Sequence, residues 1–303
     1  MPQSQKEILL NFKQHLEKDD KSKNTIRGYV SDVKIFLFEM LDTKDLSYLD
    51  KSIIKIYTDK FFSEDSPYKS ASLQKKKHSW NAFCKYIEKS EWKIRKRISK
   101  SYVFQSNPLK EEDFENMIFC IKQRLRKSSL IKTIMLLRQK VFLICGRNLG
   151  LRASEFRHLS FEDIMKKEIV TIKNSKAGNH RTIPITESVK KVVTELHSFL
   201  TKNNIFFSDF IFQKGNGKFI STRTLQRWIK QLANNANIPA EVVYTHALRH
   251  AFATNFIEQN GEQLIHLGNV MGHRSVETTR RYTKPSHSHM KAMMEKSSFK
   301  NAA

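Results

Sequence analysis

The chain has 303 residues, enough for two domains of ordinary size, each with its own core. Its 54 Lys and Arg against 30 Asp and Glu give a formal net charge of +24. A coding bias toward Lys would supply Glu as readily, so the surplus points to a polyanionic partner. Cys84, Cys120 and Cys145 lack paired spacing, which argues against a disulfide framework or zinc knuckle and suits a reducing, cytoplasmic setting; the most apolar stretch, 134–145, is broken by Arg138 and Lys140, so no membrane span is expected.

Ser4-Gln5-Lys6-Glu7 reads as a capping box opening a first helix, with Ile8, Leu9, Phe12 and Leu16 on its buried side. In a second helix, starting near Asn24 or Thr25, Ile26, Tyr29, Val30, Val33, Phe36, Leu37 and Met40 recur at helical spacing. A third helix is expected at 53–62. A fourth is expected at 70–87, with Leu73, Trp80, Phe83, Cys84 and Ile87 inward and Lys75, Lys76 and Lys77 outward. These elements predict a small helical bundle over residues 1–100. The acid-free run Arg95, Lys96 and Arg97, flanked by Lys93 and Lys100, leads into a linker at 101–108, and a second domain is expected over 109–303. Such a basic run suits a strap lying along phosphates; Lys75, Lys76, Lys77, Arg95, Lys96 and Arg97 are the candidate nucleic-acid-binding residues.

The second domain opens with helical patterns at 111–126 and 130–149. Gly150-Leu151-Arg152-Ala153-Ser154-Glu155 then places Arg152 at the mouth of a short helix, with Glu155 three residues on to hold its guanidinium. Segments 168–174 and 181–185 alternate like strands around Ser175-Lys176-Ala177-Gly178-Asn179, a hairpin with Lys176 at its tip. Further helices are expected at 186–200, 221–236, 245–258, 262–271 and from 276 onward, so the fold class is mainly α with a small antiparallel β-sheet. Thr245 reads as a cap, and His246 and Arg249 share a face one turn apart. His246 and His250 have the spacing of a zinc-binding helix, but the Glu that would follow the first His is absent and no metal is expected. Gly272 suits a left-handed turn before His273, and Tyr282 follows within Thr278-Thr279-Arg280-Arg281-Tyr282-Thr283. Met290, Met293, Met294 and Phe299 form an apolar stripe in the last segment that something must cover.

The ordered set Arg152, Lys176, His246-x-x-Arg249, Gly272-His273, Tyr282 resembles the catalytic domain of the tyrosine recombinase (phage integrase) family, and Arg181 and Pro184 follow Lys176 as in that family's hairpin. Residues 1–100 are similar, less specifically, to the family's helical core-binding (SAM-like) domain. Departures are mild: Ser175-Lys176-Ala177 replaces the commoner Gly-Lys-Gly, and Met271 stands where Leu is usual.

The resemblance implies a site-specific recombinase of the Xer-like group that cuts and rejoins duplex DNA as a homotetramer, through a 3′-phosphotyrosyl intermediate and a Holliday junction, with no ATP, metal or other cofactor. Tyr282 would be the nucleophile and Lys176 the acid for the departing 5′ oxygen. Arg152 and Arg249 suit the role of clamps on the non-bridging oxygens, because their charge is permanent and planar. His246 and His273 are candidate proton acceptors, between which the sequence does not choose. The terminal stripe would dock on a neighbouring copy or on its own domain. Two other readings are a type IB topoisomerase-like activity and a catalytically silent DNA-binding relative.

Overall fold

The structure is a computed structural model; it describes residues 5–41, 49–62, 66–98, 109–173, 180–261, 263–273, 275 and 279. The chain divides into two compact units, Met1–Val103 and Phe104–Ala303.

The first unit contains α1 (Gln5–Lys18), α2 (Lys23–Leu41), α3 (Lys51–Phe61) and α4 (Ser70–Tyr86). Ser4, the proposed cap of α1, lies outside the described residues. Ser22, rather than Asn24 or Thr25, opens α2: its Oγ accepts from Thr25 N at 3.2 Å. The aromatic positions read from the helical spacing meet at the centre. Phe36 stacks on Trp80 with centroids 5.1 Å apart, and Phe12 meets Phe83 edge-on at 5.2 Å, a geometry that adds to plain burial.

One expectation on α4 fails. Lys76 is not on the outer face: it is only 6% exposed, with Nζ 4.4 Å above the Tyr68 ring and 3.8 Å from Asp32 Oδ1. A long aliphatic stem with its charge paired to a carboxylate and an aromatic face can be buried at modest cost. The basic run of residues 93–97 is pinned to this unit. Asn81 donates to Ile94 O at 3.2 Å and accepts from Ile94 N at 2.8 Å, Trp80 Nε1 donates to Trp92 O at 2.9 Å, and Lys77 Nζ donates to Lys96 O at 2.7 Å. Ile94 is buried beneath the strap, while Arg95, Lys96 and Arg97 face solvent.

The second unit is built around α6 (Leu130–Leu149), whose buried residues include Leu136, Val141, Phe142, Leu143 and Leu149. Around it lie α5 (Glu111–Leu125), the short α7 (Phe161–Lys166), α8 (Glu187–Lys202), α9 (Thr222–Asn235), α10 (Thr245–Asn260) and α11 (Leu264–Met271). The periodicity did not signal α7; its six residues are too few to show a helical repeat, and the Ser160 side chain accepting from Asp163 N marks its start. Strands β1 (Ile169–Lys173) and β2 (His180–Pro184) form one antiparallel pair with Ile172 opposite Arg181. Val170, Ile172 and Ile183 point into the core, as the alternation required. The hairpin tip, 174–179, is outside the described residues, and so is Lys176.

Candidate active site

Two helix ends and one strand deliver the site. Helix α6 stops at Gly150, a left-handed cap with φ 56°, where an added Cβ would lie 2.5 Å from the Phe252 ring. The chain then turns through Arg152, whose carbonyl accepts from Glu155 N at 2.8 Å, into a single 3-10 turn, Phe156–His158. Arg152 therefore stands just ahead of a short helix, which is of the 3-10 kind.

Glu155 is the hub of this turn and is only 5% exposed. It accepts from Arg152 N at 2.7 Å and from Arg152 Nη1 at 3.0 Å. Arg181 on β2 adds a fork, Nη1 to Oε1 at 2.9 Å and Nη2 to Oε2 at 2.7 Å. Burial pushes the Glu155 carboxyl up. The hydrogen bonds from Arg181 and from Arg152 N, with the Arg181 charge, outweigh it and hold the group at about 2. It is thus a carboxylate throughout the neutral range.

Helix α10 starts at Thr245, with Tyr244 rather than Thr245 in the capping position. Arg249, one turn in, is only 4% exposed. Its Nη1 donates to Gly150 O at 2.7 Å, and its Nη2 donates to Met271 O at 2.6 Å and meets His273 Nε2 at 3.0 Å. The left-handed Gly272, φ 64°, turns the chain after α11 so that His273 reaches this point. Because an arginine N–H can only donate, His273 Nε2 accepts. The ring proton then sits on Nδ1, which donates to Thr279 Oγ1 at 2.8 Å. Arg152 Nη2 donates to Gly272 O at 3.1 Å, so the same turn touches both arginines. Partial desolvation, with the charges of Arg249 and Arg152, lowers the pKa of His246 and keeps its ring neutral at pH 7, although the residue lies on the exposed side of α10.

Arg152, His246, Arg249 and His273 are thereby gathered in one place with Glu155, whereas Lys176 and Tyr282 fall outside the described residues. Two features went unassigned in the sequence. Arg181 was noted for its spacing only, and its partners, 26 and 89 residues away, leave no local signal. Helix α9 contains no acid and shows Arg223, Arg227 and Lys230 on its exposed face, a pattern that the sequence does carry. Among the described residues no group of three His, Cys, Asp or Glu side chains could hold a metal ion, and no helix is long and apolar enough to cross a membrane.

Residues 123–289 match the model of the phage integrase family. The chain is 30% identical over 297 residues to the tyrosine recombinase XerA of Pyrococcus furiosus, covering 96% of this chain and 93% of that one. The chain belongs to the phage integrase family of tyrosine recombinases, in its Xer-like group. It is a site-specific DNA recombinase. Among solved structures, the Tn1549 transposon integrase in complex with circular intermediate DNA has the same fold (TM-score 0.69, 18% identity, 98% of this chain and 100% of that chain). So does a lambda integrase tetramer bound to a Holliday junction (TM-score 0.67, 16% identity, 93% and 78%). These likenesses establish the mainly helical integrase fold with its small antiparallel sheet.

Proposed function

We propose that this recombinase cuts each strand by attack of the Tyr282 oxygen on the scissile phosphorus. The bond from phosphorus to the 5′ oxygen breaks, and a 3′-phosphotyrosyl link forms. The phenol proton passes to His246 or His273, and Lys176 protonates the departing 5′ oxygen. Arg152 and Arg249 hold the non-bridging oxygens. Because the phosphodiester energy is kept in the tyrosyl link, a second 5′ hydroxyl can reseal it without ATP, and no metal enters the scheme.

The observation that carries this reading is the convergence of Arg152, Arg249 and His273 on the Gly272 turn. Four copies would hold two duplex sites and pass through a Holliday junction, the assembly in which lambda integrase of like fold is described. The terminal segment would dock on a neighbouring copy. Residues 1–100 would act as the core-binding domain and 109–303 as the catalytic domain, joined by the 101–108 linker. On DNA, Lys75, Lys77, Arg95, Lys96 and Arg97 would meet phosphates, joined by Arg223, Arg227 and Lys230 of α9, whereas Lys76 is turned inward. The biological task is chromosome-dimer resolution or the movement of a mobile element.

The test uses a duplex selected from a random-sequence pool by binding to the protein, then synthesised with a nick beside the scissile position. An SDS-stable protein–DNA adduct is expected with the wild type and lost in Tyr282→Phe. An adduct that survives Tyr282→Phe overturns the mechanism.

A further inference from the structure

Arg181 is enclosed, with its side chain only 8% exposed, and its fork satisfies both oxygens of Glu155 while Nε donates to Val270 O at 2.7 Å. It lies so close to the Gly272 turn that a Cβ there would come 2.9 Å from Arg181 Cδ. One side chain on β2 therefore ties together the Arg152 turn, the end of α11 and the strand that leads out of the Lys176 hairpin.

The charges add a second consequence. Glu155 carries a full negative charge against Arg152, and a carboxylate in bonding contact with a phosphate clamp opposes the clamp's attraction for an anion. Arg181 supplies the counter-charge. The three groups together carry one net positive charge, located on the partner that is more open to solvent, since the Arg152 side chain is 32% exposed and that of Arg181 8%.

We infer that Arg181 is a positioning and charge-compensating residue of the recombination reaction: it neutralises Glu155 so that Glu155 can orient Arg152 without cancelling its charge toward the scissile phosphate. The inference rests on the reading of Arg152 as a phosphate clamp. Without Arg181, the Arg152–Glu155 pair would be neutral overall and would present little field to the developing charge.

The experiment measures single-turnover adduct formation on two versions of the selected nicked duplex. One carries the ordinary scissile phosphodiester and the other an uncharged methylphosphonate at that position; gel shift and thermal unfolding report binding and folding. Arg181→Met is expected to slow cleavage of the diester by on the order of ten- to a hundred-fold. On the methylphosphonate, whose ground and transition states each carry one negative charge fewer, the loss should fall to about threefold or less. Adding Glu155→Gln to Arg181→Met removes the uncompensated carboxylate and should recover about tenfold on the diester. Arg181→Lys keeps the counter-charge and should cleave faster than Arg181→Met. If Arg181→Met does not fold, the Lys variant and the double variant carry the test.

Equal losses on both substrates overturn the inference, as does a double variant no faster than the single one. So does an Arg181→Lys variant as slow as Arg181→Met, or, where Arg181→Met does not fold, one that loses as much on the methylphosphonate as on the diester. Arg152→Ala separates the two levels of argument. If its own defect is the same on both substrates, the clamp reading falls. If Arg152→Ala discriminates and the Arg181 variants do not, only the role of Arg181 falls.

Discussion

Replacing Glu155 by Gln removes one charge from a buried cluster while nearly keeping its shape. Four hydrogen bonds converge on this carboxylate, two from Arg152 and two from Arg181. The folded group sits at about 2, down from 4.5, which corresponds to about 3 kcal/mol of stability at neutral pH. Breaking a buried ion pair by removing one partner costs about 3–5 kcal/mol, so the two routes agree. For a unit of this size 1 kcal/mol moves the unfolding midpoint by roughly 2–4 °C, so Glu155→Gln should melt about 6–12 °C lower at pH 7. The pH dependence has a definite sign. A carboxylate with a lowered folded pKa contributes its full stability above its unfolded value, and that contribution is lost as pH falls from about 4.5 toward about 2. The gap between wild type and variant should therefore be widest above pH 5 and should narrow steadily in acid. Calorimetry of both proteins from pH 3 to 8 measures it. A midpoint difference under about 2 °C at pH 7, or a gap that does not shrink in acid, refutes the account of this cluster.

Gly272→Ala must place a Cβ at φ 64° and against Arg181, so it should lose about 1–2 kcal/mol and slow adduct formation; unchanged melting and cleavage would contradict the packing described. Replacing Arg95, Lys96 and Arg97 together by Gln should flatten the slope of log affinity against log salt by up to about 3, since each phosphate contact contributes about 0.9. An unaltered slope removes the strap from the DNA face. Burial pushes the thiols of Cys84 and Cys145 up to about 12, whereas Cys120 is half-buried and donates to Asn235 O at 3.2 Å. A maleimide at pH 7 should then label Cys120 alone until the protein is denatured, as peptide mapping would show.

Much of the helical framework was legible because its signals are local. The spacing of Phe12, Phe36, Trp80 and Phe83 marks buried faces that do meet, and α6 spans 130–149 as its pattern predicts. The gathering of Arg152, His246, Arg249 and His273 was legible for a different reason, namely the order and intervals of a shared motif. Chain ends of helices were less legible. Thr245 does not cap α10, and Ser22 caps α2, because several polar residues stand near each start and only the fold selects among them.

By itself the sequence determined the two-part organisation expected of the chain, its attraction to a polyanion, its mainly helical class and the ordered motif on which the proposed reacting side chains rest. Periodicity, charge balance and motif spacing are all properties of neighbours along the chain. Only the tertiary structure decided that Lys76 is buried against Asp32 and Tyr68, that Asn81 pins the basic strap, and that Arg181 shares Glu155 with Arg152. Each of these depends on partners 8 to 44 residues away in sequence, brought into contact by packing, where burial sets which charges must be paired and so which residues act together.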